Sequence, residues 1–164
     1  MVDDVYLMDN EEAITHLKSI PSFECFTEED LNRLLDVSEV RTYRENECII
    51  EENSVDKRVF YLIAGQAKVV KNGRELIILR RTGDVFGEMG VITGVARSAS
   101  VYAMKNTSCL IVDLAGIDRF DETNRLTFKY LIFRSFAEIM ANRLKNTTDE
   151  LVKAKQALEE IKGQ

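Results

Sequence analysis

The chain has 164 residues, 45% of them hydrophobic and 30% charged, with a formal net charge of −6. That length suits one domain with an added element, and the composition is that of an ordinary globular protein with enough apolar surface for a core. The acidic balance argues against a domain that grips nucleic acid by itself, and no apolar run approaches the roughly 18 residues that span a bilayer. The start, MVDDVYLMDNEEA, is acidic where a secretory signal would be basic and then apolar. The expected setting is the cytoplasm.

The first elements read as helices. Glu11 to Ser19 is a short helix candidate closed by Pro21. In FTEEDL, Thr27 can cap the next helix while Asp30 reaches back to the Thr27 amide, and Phe26 and Leu31 occupy the two positions of a hydrophobic staple. That helix is expected to end near Ser38. From Val40 to Val112, short runs rich in Val, Ile, Tyr and Phe alternate with turn residues: VRTY, ECII, VFYLI, AKVV, ELIIL, ASVYAM and SCLIVD. KNGR between AKVV and ELIIL signals a hairpin, because Asn72 and Gly73 both tolerate the positive φ of a type I′ turn. The expected fold is α+β: an antiparallel, jelly-roll-like β-roll flanked by N-terminal helices and a long C-terminal helix.

The last part is helical throughout. Leu126, Tyr130, Phe133, Ala137, Met140, Leu144, Thr147, Leu151, Ala154, Leu158 and Ile161 recur in alternating steps of four and three, with no Gly or Pro inside the run. At about 1.5 Å per residue such a helix exceeds roughly 50 Å, too long for one small β-roll to cover. Ile132, Phe136 and Ile139 add a second apolar face to its first half. The second half, VKAKQALEEIKG, needs another partner, and a parallel dimeric coiled coil supplies it better than a fraying or antiparallel helix. Residues 11–120 are therefore expected to form the β-roll with its flanking helices, and 121–162 a dimerisation helix.

Cys25, Cys48 and Cys109 are odd in number and far apart, and His16 is the single histidine, so no metal site or Cys–His nucleophile is supported. The thiols are expected to be buried and reduced, and His16 to lie on the surface.

The segment GDVFGEMGVITGVARSASV, residues 83–101, carries the functional signal. Its glycines allow tight turns, and a helical turn starting near Gly87 would present free amides to an anion. The Arg97 guanidinium suits two phosphate oxygens, whereas Glu88 is an acceptor that needs a donor such as a ribose hydroxyl. On spacing alone the stretch equally fits a structural turn in which Glu88 pairs with Arg97.

Taken in order, Phe86-Gly87-Glu88 followed by Arg97-Ser98-Ala99 resembles the phosphate-binding cassette of cyclic nucleotide-binding domains. The resemblance extends through Tyr43, Glu47 and Ile49, FYLIAG and LRRTGDVFGE, and covers roughly Leu17 to Ile161. It departs at Asn46 and Asn53, where the family often has glycine; asparagine is the next most tolerant residue of left-handed geometry. The resemblance implies that Arg97 grips the cyclic phosphate with the Ser98 hydroxyl and the amides of Gly87 and Met89, beside Ala99. It further implies that Glu88 accepts from the ribose 2′-hydroxyl and that Val69 and Ile77 line the base. MANRLKNTTDEL resembles the long helix of the catabolite activator protein family, which implies that Thr147 and Thr148 meet an adenine across a dimer. A seam threonine that merely sets register is the other reading of Thr147.

The expected function is a non-catalytic, homodimeric sensor of cAMP, with cGMP as the alternative ligand, no cofactor and no metal. A scaffold of the same fold that binds no nucleotide is the competing reading; a phosphodiesterase would need metal ligands or a placed base that one His does not provide. Only about a dozen residues follow Leu151, so the chain is not expected to carry a helix-turn-helix domain or to bind nucleic acid by itself. As a switch it would need a downstream effector that reads the conformation of the dimer.

Overall fold

The computed structural model describes residues 14–162 except His16, so the expectation for His16 and the start of the first helix candidate lie outside the described residues. A 3₁₀ turn at Pro21–Phe23 leads to helix α1 (Glu28–Asp36). Eight strands follow: β1 (Ser38–Tyr43), β2 (Cys48–Ile50), β3 (Arg58–Ala64), β4 (Ala67–Lys71), β5 (Arg74–Leu79), β6 (Val85–Phe86), β7 (Ser100–Ala103) and β8 (Thr107–Asp113). A short helix α2 (Glu88–Thr93) interrupts them between β6 and β7. After a second 3₁₀ turn, Gly116–Arg119, helix α3 runs from Glu122 to Lys162, 41 residues.

Local chemistry sets these boundaries. The Asp30 amide donates to Thr27 Oγ1 at 3.2 Å and the Thr27 amide donates to Asp30 Oδ2 at 3.0 Å, closing the expected capping box at α1. Phe26 and Leu31, on either side of that cap, are both buried. Asn72 and Gly73 take φ of 50° and 74° in the β4–β5 hairpin. Asn46 and Asn53 stand at 65° and 66°, the left-handed geometry for which asparagine substitutes for glycine.

The strands form two four-stranded antiparallel sheets, ordered β1-β8-β3-β6 and β2-β7-β4-β5. Strand β3 is buried on both faces. Phe60 and Leu62 point between the sheets, where they meet Ile50, Leu79, Phe86, Val101 and Ile111. Val59 and Tyr61 point the other way, into a second apolar cluster shared with α1 and the start of α3. Phe128, Ile132 and Phe136 hold α3 there; truncating a buried Phe of this kind to Ala costs about 3–5 kcal/mol. The roll and the first turns of α3 therefore share one core.

Farther along, α3 leaves that core. From Ala141 to Ile161 every residue except Arg143 is exposed, and Leu126, Tyr130 and Phe133 on the same seam are also bare. The expectation of three buried thiols holds only for Cys109, whose thiol burial pushes up to about 12. Cys25 and Cys48 are exposed: Cys25 follows the Pro21 turn, and Cys48 falls on the outward position of β2, whose next two residues are buried.

Candidate functional site

The β6–α2 corner is built around a missing side chain. Gly87 caps α2 with φ of 84°, and a Cβ there would stand 2.8 Å from Arg97 Nη1 and 3.0 Å from Ile50 Cδ1. Only glycine both adopts that backbone and leaves room for the guanidinium. Gly94, with φ of 68°, ends the helix and turns the chain back toward β7. Two backbone hydrogen bonds then fasten Arg97 to the β2–β3 loop: the Asn53 amide donates to the Arg97 carbonyl at 2.9 Å, and the Arg97 amide donates to the Ser54 carbonyl at 2.8 Å.

The Arg97 side chain is 2% exposed. Its Nη1 donates to the Gly87 carbonyl, and its Nη2 donates to Asp56 Oδ1 and, at 2.6 Å, to the Arg58 carbonyl. Burial alone would raise the Asp56 carboxyl, but the Arg58 amide and the Arg97 guanidinium outweigh it and hold the group below its ordinary value. Arg97 Nε is buried and has no hydrogen-bond partner. Buried donors are rarely left in that state, so this nitrogen marks a position for an acceptor.

Glu88, 1% exposed, does not pair with Arg97. Its Oε1 accepts from Arg143 Nη1 at 2.7 Å, while Arg143 Nη2 donates to the Val85 carbonyl, so α3 is tied to the corner. Burial pushes the Glu88 carboxyl above its ordinary value; the charge of Arg143, the helix amide and Arg97 offset only part of that rise.

These groups open into a pocket of about 340 Å³. Gly87, Glu88, Met89, Arg97, Ser98 and Ala99 line it together with Val69 and Ile77 from the β4–β5 hairpin, so the structure brings these sequence candidates to one pocket. Leu76 joins them because a bulge in the β4–β5 pairing turns both Leu76 and Ile77 toward the pocket. Thr147 and Thr148 are not brought there. Both are exposed one turn beyond Arg143, and the Thr148 hydroxyl donates to the Leu144 carbonyl of its own helix.

Among the site residues that sequence reasoning missed are Leu76 and three charged groups, Asp56, Arg143 and Lys71. Arg143 had a signal: it continues the second apolar face, Ile132, Phe136, Ile139, by another step of four. A charged residue on a core-facing register implies a buried partner. No pattern pointed to Asp56, which lies 41 residues from Arg97. Among the described residues there is no cluster of three or more His, Cys, Asp or Glu able to hold a metal, and no helix is long and apolar enough to cross a membrane.

The cyclic nucleotide-binding domain family model matches residues 40–124, just over half of the chain. The chain belongs to the cyclic nucleotide-binding domain family. It is 32% identical over 103 residues to a cGMP-dependent protein kinase of Toxoplasma gondii, a match covering 63% of this chain and 10% of the kinase. The chain thus spans only a small part of the curated relatives it matches. Among solved structures, a cyclic nucleotide-binding domain from Methylobacillus flagellatus superposes with a TM-score of 0.72 at 18% identity, covering 87% of this chain and 82% of that one. The catabolite activator protein of Thermus thermophilus gives 0.60 at 23% identity, covering 80% and 61%. Both are likenesses of fold.

Proposed function

We propose that this chain is a non-catalytic regulatory module of the cytoplasm that binds a cyclic nucleotide monophosphate and works as a homodimer through α3. The observation that carries the reading is Arg97: a residue 3% exposed, lining the pocket, with a buried Nε that has no partner. A phosphate oxygen satisfies that donor. Asp56 and the carbonyls of Gly87 and Arg58 hold the fork in place beforehand, so little order is lost on binding. Glu88 is the acceptor for a ribose hydroxyl, and Val69, Leu76 and Ile77 offer the base an apolar wall. A lean toward cAMP rests on Thr147 and Thr148, which lie outside this copy's pocket and would reach a base from a second copy.

The test is calorimetric titration of cAMP and of cGMP into the full chain stripped of nucleotide, with Arg97→Ala beside it. Losing a buried, charge-assisted pair weakens binding by about thirty-fold to several thousand-fold. A thermal melt of the variant separates lost binding from lost folding. Heat from at least one nucleotide, abolished in a folded variant, is expected. No heat from either in the folded wild type would overturn the sensor reading and leave a scaffold of the same fold.

A further inference from the structure

The pocket is lined by four charged side chains, and three of them are already committed. Arg97 is held by Asp56, and Glu88 is paired with Arg143. The fourth, Lys71, is the last residue of β4. It follows the inward register of that strand: Ala67 is in the core between the sheets, Val69 packs on that core and lines the pocket, and Lys71 lines it next. Among the described residues the Lys71 ammonium has neither an ion pair nor a side-chain hydrogen bond.

A ligand with its phosphate on Arg97 and its ribose on Glu88 places its base against Val69, Leu76 and Ile77, the wall that Lys71 ends. That wall is otherwise apolar, and Leu76 and Ile77 are 60% and 52% exposed, a bare surface for a flat ring. A lysine offers three donors and no acceptor. Guanine presents two adjacent acceptors, N7 and O6, on its outer edge, whereas adenine presents N7 beside an amino donor. The donor-only group therefore suits one ring and opposes half of the other's edge.

We propose that Lys71 reads the base and favours a 6-oxopurine, making cGMP the preferred cyclic nucleotide of the protomer. This rests on the cyclic nucleotide reading of the pocket. It is independent of Thr147 and Thr148, which are exposed on α3 and do not line the pocket.

The experiment titrates cGMP, cAMP and cIMP into the nucleotide-stripped full chain and into Lys71→Met and Lys71→Arg. The base of cIMP keeps O6 and N7 but lacks the guanine amino group, so it isolates the edge assigned to Lys71. Lys71→Met is expected to weaken cGMP and cIMP by about tenfold and to leave cAMP within about twofold, with Lys71→Arg restoring most of the loss. Equal weakening of all three would mean that Lys71 serves the phosphate and would overturn the inference, as would no change in any. In both cases the wild type still binds, and the sensor reading survives. Failure of the wild type to bind any of the three would remove that reading itself.

Discussion

Glu88 has to serve in an environment that works against its charge. It is buried, and desolvation pushes its carboxyl above the ordinary value of 4.5 despite Arg143. A carboxyl raised on folding binds more protons in the folded state than in the unfolded state once the pH passes the unfolded value. Stability linked to Glu88 is therefore greatest below about 4.5 and falls as pH rises through the raised folded value. Glu88→Gln removes that titration. Thermal melts from acid to neutral pH should show the wild type losing ground against Glu88→Gln as pH rises; parallel curves would mean that the ion pair with Arg143 fully offsets burial. Asp56 runs the opposite way. Its carboxyl is depressed, so its contribution is present above its ordinary value of 3.8 and is lost as pH falls through the folded value. An Asp56→Asn variant should accordingly be penalised at neutral pH and converge with the wild type in acid.

At the scale of elements, α3 has two faces with different partners. Phe128, Ile132 and Phe136 are buried against the roll, and Arg143 extends that face to Glu88. The other face leaves Leu144, Leu151, Leu158 and Ile161 more than half exposed, in a row that, with Thr147 and Ala154 between them, steps by three and four residues. Charges on that seam should abolish a coiled coil without touching the core: Leu144→Glu with Leu151→Glu is expected to convert a dimer to a monomer in sedimentation, with the roll still folded. A wild type that sediments as a monomer would remove the coiled coil altogether. The seam was legible because its period is long and regular. The strands were legible where a run of apolar, β-branched or aromatic residues extended over several positions, as in β3 and β8, but β6 has two residues and no run to detect. The same contrast governs the site. Gly87, Glu88 and Arg97 lie within one short segment and could be read together, whereas Asp56 and Arg143 reach them from distant elements that only the tertiary fold brings near. The glycine-to-asparagine departures were legible for a local reason, since the left-handed φ at Asn46 and Asn53 is a property of single residues.

For the whole molecule, the consequence lies in Arg143 standing on the same rod as the seam. It donates to Glu88 inside the pocket, and the helix positions beside it, Leu144 and Thr147, belong to the exposed row. A nucleotide that engages Glu88 therefore acts on a residue that also anchors α3, and a second copy that pairs along α3 constrains the same anchor. If pairing changes nucleotide affinity by some factor, nucleotide must change the dimer equilibrium by that factor as well. The expected outcome is a nucleotide Kd that shifts as protein concentration crosses the dimerisation range, together with an equal shift in the dimer midpoint when nucleotide is saturating. Thr147→Ala reports on the same link, because a threonine that meets the base from the second copy should weaken both. Identical dimer midpoints with and without saturating nucleotide would make α3 a passive stalk, leaving the Glu88–Arg143 contact as an anchor with no regulatory output.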